Sequence, residues 1–294
     1  MQAAAVSPQK GNDERIDVKE NRLLQLDSVV FETLLKDRTT GKNILWGTDN
    51  YLHYGKEYAP DKQILKELIT GRHGEVIRPR VKKSKSEQKN RVKQKAEVFT
   101  PSWVCKLQND YIDDAWFGKK SKSFPTKDGK TWSDYIKMTW LEIACGEAPY
   151  IVNRYDATTS DTVTLLKRIG FLDMKLKIIF TECKTKEDWI KWTKIAYQSC
   201  YGFEWQGDNL LLARENLLYT FSDYYEHKFR NKPDVEVLRE IAEIISWNIW
   251  QMDGLTYCIP NTEKEAMLMD WETNEPTKFA QIATDSYQDS LFEV

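Results

Sequence analysis

Three acidic residues stand where a carboxylate could contact a nucleoside. They are Glu142 in LEIACGEAPYI, Glu204 in YGFEW and Asp253 in NIWQMDGL. Each lies at or near the end of a short apolar segment that predicts a strand, and a turn follows each one. Because the carboxyl ends of parallel strands meet at one edge of a sheet, where ligands bind, the three acids predict a single binding site.

The segment after Glu142 places a glycine and a proline at a predicted strand-to-helix turn. Gly146 lets the backbone approach a ligand closely, and Pro149 suits the first turn of a helix, where its missing N–H is tolerated. Glu142 would repel a pyrophosphate but suits an ammonium group, and the spacing matches neither the dinucleotide fingerprint nor the P-loop. The combination favours S-adenosylmethionine, a nucleoside with a cationic amino-acid end. The alternative is an ordinary strand-to-helix turn.

Glu204 and Trp205 form the second candidate group. A carboxylate beside a nucleotide loop can accept hydrogen bonds from both ribose hydroxyls, and an adjacent indole can cover an adenine. Asp253 could accept from the adenine amino group. The alternative for the second group is capping of the following helix, for which Asp208 is the better candidate.

Composition limits the class of protein. The chain has 294 residues, 41% of them hydrophobic, and a net charge of -2, which predicts one large α/β domain with an appendage and only a local nucleic-acid contact. Its five cysteines form no CxxC pair and its three histidines lie apart, so neither a disulfide framework nor a metal site is indicated. We see no leader and no long apolar run, which predicts a cytoplasmic protein without a membrane segment.

Apolar periodicity divides the chain into four regions. Residues 1–20 are predicted to be a flexible tail, 21–95 a helical and basic region, 96–256 an α/β domain and 257–294 a C-terminal extension. Strands alternate with helices in the third region, which predicts a mostly parallel sheet. The predicted helices are 23–37, 62–70, 101–117, one directly after Gly146, 188–200, 208–229 and 235–246, and the predicted strands are one within 39–51 and those at 139–145, 201–205 and 247–253.

Residues 72–95 concentrate positive charge in a chain with almost no net charge. Such a cluster attracts phosphates by releasing counterions, so the hypothesis is a contact with the DNA backbone, with Trp46 and Tyr51 nearby in sequence. The alternative is a solvated linker or helix face. The candidate DNA-binding residues are Arg78, Arg80, Lys82, Lys83, Lys85, Lys89 and Arg91.

Four motifs in sequence order resemble those of the γ-ordered DNA amino-methyltransferases of restriction–modification systems, and in particular the short "restriction endonuclease subunit M" proteins. They are FTPSWV, LEIACGEAPYI, YGFEWQGDNLLLARENL and NIWQMDGL. The resemblance implies a Rossmann-like class I methyltransferase fold over about residues 96–256, S-adenosylmethionine as cofactor, double-stranded DNA as substrate and adenine N6 as the favoured target. It implies no metal.

The resemblance also gives each motif residue a place around the cofactor. It implies that Phe99-Thr100-Pro101 packs on the methionine end, Glu142 faces the ammonium, Glu204 holds the ribose, and Asp253 meets the adenine amino group. The whole implied cofactor-binding set is Phe99, Thr100, Pro101, Glu142, Ala144, Cys145, Gly146, Pro149, Glu204, Trp205, Asp253 and Leu255.

Two features depart from the family. The long segment between Glu142 and Glu204 predicts an insertion at about 152–190. The catalytic tetrapeptide [DN]PP[YFW], which holds the flipped base, is absent; its nearest approximations are 274–277, without the aromatic, and 269–271, without both prolines. We therefore expect an incomplete sheet, completed by a partner that carries the catalytic loop and target recognition, and no catalytic residue in this chain. The alternatives are a catalytically inactive cofactor-binding scaffold or sensor, and an α/β protein whose motif matches are coincidental.

Overall fold

The protein, seen in a computed structural model, combines helices with a small parallel sheet. The structure describes residues 19–118 and 123–284. Most of the predicted tail and the end of the C-terminal extension lie outside the described residues. Within them, no helix is long and apolar enough to cross a membrane.

Three parallel strands form the sheet. They are β1 (Trp140–Glu142), β2 (Cys200–Glu204) and β3 (Ile249–Gln251), in the spatial order β1-β2-β3. Leu141 lies opposite Tyr201, and Phe203 lies opposite Trp250. The predicted parallel sheet is therefore confirmed, and all three strands direct their carboxyl ends to the same edge.

The N-terminal region is helical only in part. α1 (Glu20–Leu26) and α2 (Ser28–Leu35) replace the single helix predicted over 23–37, because the Asp27 side chain accepts from the Val30 N–H and starts a new helix. The predicted helix over 62–70 is wrong, since only a 3-10 turn, Lys66–Leu68, forms there. The strand predicted within 39–51 is reduced to isolated bridges such as Leu45 with Gln63.

Three helices, the first within the basic segment, precede β1. α3 (Lys85–Lys95) starts where the Ser84 hydroxyl accepts from the Glu87 N–H. α4 (Ser102–Phe117) confirms the helix predicted over 101–117. α5 (Trp132–Lys137) precedes β1 and begins with a capping box at Thr131.

The helices around β2 and β3 build the main core. α7 (Lys186–Gln198), α8 (Gly207–Phe229) and α9 (Val235–Asn248) pack against these strands. In α9 the buried residues Leu238, Ile241, Ala242 and Ile245 follow helical spacing, so one face meets the core. α6 (Phe171–Glu182), within the predicted insertion, packs against α5, α7 and α8 and buries residues of the same core.

A hairpin covers part of the opposite face of the sheet. β4 (Met267–Asp270) pairs with β5 (Glu275–Lys278), and a smaller apolar cluster joins Phe203 and Trp250 to Leu268. On that same face, Leu141 and the residue two further on, Ile143, remain exposed. The cover is therefore confined to the β2 and β3 side.

Candidate ligand-binding site

A cavity of about 1360 Å³ lies at the carboxyl ends of β1 and β2. It contains ten of the residues predicted to bind the cofactor, and Pro101 and Asp253 are the two that do not line it. The ten are Phe99, Thr100, Glu142, Ala144, Cys145, Gly146, Pro149, Glu204, Trp205 and Leu255. One cavity is thus lined by residues from the first three motifs and by the turn that ends the fourth motif, NIWQMDGL.

Glu204 fixes the loop that follows β1. Its Oε2 accepts a hydrogen bond of 2.8 Å from the Gly146 N–H, and its Oε1 accepts one of 3.0 Å from the Gln206 N–H. The Cys145 N–H donates to the Phe203 carbonyl at 2.8 Å, which extends the contact between the two strands. Because one carboxyl joins both loops, the cavity floor is formed jointly by β1 and β2.

Gly146 adopts a backbone conformation that favours glycine. Its φ is 55°, and a Cβ placed on it would lie 3.3 Å from Cε1 of Phe99. Ala144 and Ala148 also have positive φ, so the chain turns repeatedly after β1. The helix predicted directly after Gly146 is therefore wrong, and Pro149 lies in a turn instead of the first turn of a helix.

Two carboxyl groups that line the cavity, those of Glu142 and Glu204, have raised pKa values because they are buried. The Oε2 atom of Glu142 is buried without a hydrogen-bond partner among the described residues. Burial raises the pKa of Glu142 well above its usual range. The backbone N–H groups of Tyr150 and Ile151 act in the opposite direction, and the nearby Glu204 raises the pKa further. Burial also raises the pKa of Glu204 to about 7, although its two backbone donors act in the opposite direction. A cation or hydroxyl donor in the cavity would satisfy groups that are otherwise poorly solvated.

Two aromatic side chains of the cavity are held by residues of the N-terminal region. The Arg80 guanidinium lies 5.0 Å from the centre of the Phe99 ring, and its Nη1 donates to the Glu97 carbonyl at 3.2 Å. The indole N–H of Trp205 donates to the Gly47 carbonyl at 2.8 Å. The N-terminal region therefore positions both rings, which the sequence motifs alone did not indicate.

Asp253 does not extend its carboxylate into the cavity. Oδ1 accepts from the Leu255 N–H at 2.9 Å, and Oδ2 accepts from the Thr256 hydroxyl at 3.0 Å. It thereby stabilises a turn in which Gly254 and Leu255 line the cavity, and Leu255 is 92% exposed. The predicted convergence of three carboxylates is thus found for Glu142 and Glu204 only.

Part of the basic segment is buried in ion pairs. Lys83 and Arg91 contact the Asp208 carboxylate at 3.3 and 2.8 Å, and Arg91 also contacts Glu97 at 2.8 Å. Burial alone would raise the pKa of Asp208, but the two cations hold it below its usual range. Asp208 therefore does not act as the helix cap considered above. A phosphate cannot reach Lys83 or Arg91, which corrects their placement in the DNA-binding set.

Other members of the basic segment stay closer to the surface. Lys85 and Lys89 are exposed on α3, while Arg78 pairs with Glu87 at 3.2 Å. Arg80 and Lys82 are half-buried. Trp46 and Tyr51 are both buried and so offer no stacking surface to DNA. The hypothesis of a DNA contact therefore rests mainly on α3.

The predicted cofactor-binding set omits several polar residues of the cavity. The Thr48 hydroxyl and Oδ1 of Asn209 are buried without partners among the described residues, and both residues line the cavity. Asp49 and Lys95 form an ion pair of 2.5 Å in its wall. Asn209 follows Glu204 closely in the sequence, but no pattern connected the others to the strand ends.

Neither approximation to the catalytic tetrapeptide belongs to the cavity. Residues 274–277 lie in the turn and second strand of the hairpin, and 269–271 lie at the end of β4. Over the described ranges, no group of three or more His, Cys, Asp or Glu side chains is placed to hold a metal ion.

Comparisons with protein-family models, with curated proteins and with solved structures found no match.

Proposed function

We propose that this chain is the cofactor-binding subunit of a split DNA methyltransferase of a restriction–modification system, with S-adenosylmethionine as cofactor and adenine N6 as the favoured target. One observation carries the proposal. Glu142 and Glu204, from the ends of neighbouring parallel strands, face the same cavity, with Gly146 between them in the loop. The proposal includes a Rossmann-like class I arrangement for the strands and a cytoplasmic location.

The residues present fit a cationic nucleoside. Glu142 lines the cavity and suits an ammonium donor, because a buried carboxyl gains most from a cationic hydrogen-bond partner. Glu204 can accept ribose hydroxyls, and Phe99 and Trp205 supply apolar ring surfaces. The volume of about 1360 Å³ exceeds the roughly 300–1,000 Å³ of common ligand pockets, so a second reactant has room beside the cofactor.

The role of this chain is then to bind and orient. S-adenosylmethionine supplies an electrophilic methyl group when bound. Glu142 and Glu204 would hold its charged and sugar portions, and the ordered loop at Gly146 would shield its carboxylate end from water. The chain's own groups need not move a proton, which agrees with the absence of a catalytic tetrapeptide from the sequence.

A second subunit would provide what this chain lacks. Methyl transfer to an exocyclic amine needs acceptors for the amine hydrogens and an aromatic ring against the flipped base. We assign these groups, and most of the reading of double-stranded DNA, to a partner polypeptide. Lys85 and Lys89 of α3 are the remaining candidates for a phosphate contact by this chain.

The missing tetrapeptide also favours a second candidate, a catalytically inactive scaffold or sensor that binds the cofactor within a restriction complex. Both candidates require cofactor binding, and they differ in methyl transfer. The test is incorporation of a labelled methyl group into double-stranded DNA by this chain, alone and with the protein encoded by the neighbouring gene. Methyl incorporation into DNA by the mixture, but not by either protein separately, supports the split enzyme. Cofactor binding without methyl incorporation supports the sensor.

A further inference from the structure

The helix α4 exposes apolar residues and buries polar ones. Its buried positions, Cys105, Asn109, Asp113 and Phe117, recur every four residues and include two polar side chains. Asn109 donates to the carbonyls of Tyr150 and Ile169, both at 3.1 Å, so polar contacts fix this face to the loops behind it.

The opposite side of α4 carries Trp103, Leu107 and Tyr111 at the same spacing. Trp103 is 70% exposed and Tyr111 is 69% exposed. A water-facing helix normally shows the reverse pattern, with polar residues outside. This side of α4 is therefore suited to contact with another apolar surface.

The outer edge of β1 is also open. Within the described part of the chain, β1 pairs with β2 only. Because Trp140 donates to Ser199 on the β2 side and alternate residues of a parallel ladder address alternate neighbours, the backbone groups of Leu141 face the free edge, and Ile143 follows in the turn after β1. Their side chains are exposed too, and Ile143 is 71% accessible. An open apolar edge of this kind accepts an added strand.

The two features border the same cavity. Tyr111 and Ile112 of α4 line it together with Leu141 and Ile143. Trp103, Tyr111 and Ile143 are each more than two-thirds exposed, and grouped apolar exposure of this kind marks interaction sites. Helix α4 itself carries one lysine, Lys106, and this lysine is paired with Asp110.

We propose that Trp103, Leu107, Tyr111, Leu141 and Ile143 form a docking face for a second, different protein subunit. The subunit adds an extended strand along β1 and packs apolar side chains against α4. The inference rests on the proposed function, because the added strand would run parallel to β1 and bring the partner's catalytic loop to the cavity. The docking face itself follows from exposure and backbone geometry.

A second copy of this chain fits the docking face less well. Two β1 strands paired about a twofold axis would run antiparallel, so the second copy would bring the amino end of its β1 to the cavity instead of a loop at a carboxyl end. The edge strand β5 of a second copy is also unsuitable, because it carries Pro276 and the charges of Glu275 and Lys278. A different chain avoids both problems.

The test uses the full chain and the protein encoded by the neighbouring gene. Complex formation is measured by light scattering after size exclusion for the wild type, Trp103→Glu, Tyr111→Glu and the control Tyr54→Glu. Tyr54 is also an exposed tyrosine, at 49%, but lies in the N-terminal region outside the docking face. We expect at least a tenfold weaker complex for the first two variants and an unchanged one for the control. Hydrogen exchange at the amides of Leu141 and Ile143 should slow at least tenfold in the complex.

Several outcomes would overturn the inference. They are an absent complex, equal complexes for all variants, unprotected β1 amides, or a homodimer of the isolated chain that protects β1. Protection by duplex DNA alone would also contradict a protein partner. Cofactor binding by the isolated chain is measured in parallel, so that a failed docking face with normal cofactor binding is distinguished from failure of the proposed function.

Discussion

The Gly146 N–H donates a hydrogen bond of 2.8 Å to the carboxyl of Glu204, which connects the ends of two neighbouring parallel strands. The same carboxyl accepts from Gln206 in its own loop. Glu204 thus has two roles in this account. It holds the cavity floor together, and it offers its remaining acceptor capacity to a ligand.

Replacement of Glu204 by alanine should reduce both stability and cofactor binding. The change leaves the Gly146 and Gln206 N–H groups without their acceptor, at about 1–3 kcal/mol for each buried donor. We expect the dissociation constant for S-adenosylmethionine to rise at least tenfold, as measured by isothermal titration calorimetry. Glu204→Gln, which retains one acceptor, should lose less. Unchanged cofactor affinity in a folded Glu204→Ala protein would contradict the ribose assignment.

Gly146→Ala tests the loop separately from the carboxyls. Alanine at a positive φ destabilises by roughly 1 kcal/mol, and here its Cβ would also press on the Phe99 ring. The matched control is Gly41→Ala, where φ is 70° and no atom lies within 4 Å of the added Cβ. Both variants should lower the melting temperature, but only Gly146→Ala should weaken cofactor binding. Equal affinities for the two variants would argue against ligand contact at this loop.

Cofactor binding should be linked to proton release. Burial raises the pKa of Glu142, so a share of the empty protein carries this carboxyl in neutral form. An ammonium group favours the ionised form, and binding therefore expels a proton and becomes tighter as pH rises. Calorimetry in two buffers of different ionisation enthalpy measures the number of protons released. Proton uptake, or affinity that falls with rising pH, would exclude the Glu142 assignment.

Glu204 should make the stability of the protein depend on pH. Its folded pKa is about 7 against an ordinary value of 4.5, so its contribution to stability is full below about pH 4.5 and is lost as pH rises through 7. The Glu204→Gln variant has no such titration. Relative to that variant, the wild type should lose on the order of 3 kcal/mol of unfolding free energy between pH 4.5 and 8. Denaturant unfolding at several pH values checks this, and a parallel pH dependence for both proteins would refute it.

The sequence predicted the elements whose patterns are local. The strands at β1, β2 and β3 were predicted because short apolar runs end in turns, and α4, α8 and α9 because their periodicity is long and regular. The helix after Gly146 failed because positive φ values at Ala144 and Ala148 follow from packing that the sequence does not display. The single helix predicted over 23–37 is divided at Asp27, whose capping role competes with helix continuation.

The candidate site was predictable where it follows from strand ends. Glu142, Gly146 and Glu204 meet because parallel strands align their carboxyl ends. The alternation of strands with helices along the sequence is enough to predict such a parallel sheet. The burial of Lys83 and Arg91 was not predictable, because it depends on Asp208, which lies more than a hundred residues away in sequence. A dense basic segment looks the same in sequence whether it faces phosphates or buried carboxylates.

The proposed function requires most directly that the isolated chain bind S-adenosylmethionine. Isothermal titration of the wild type and of Glu142→Gln, which keeps the shape but removes the charge, is the decisive measurement. We expect saturable one-to-one binding by the wild type and at least tenfold weaker binding by Glu142→Gln. No binding by the folded wild-type chain, or equal affinity for the two proteins, would contradict the central claim.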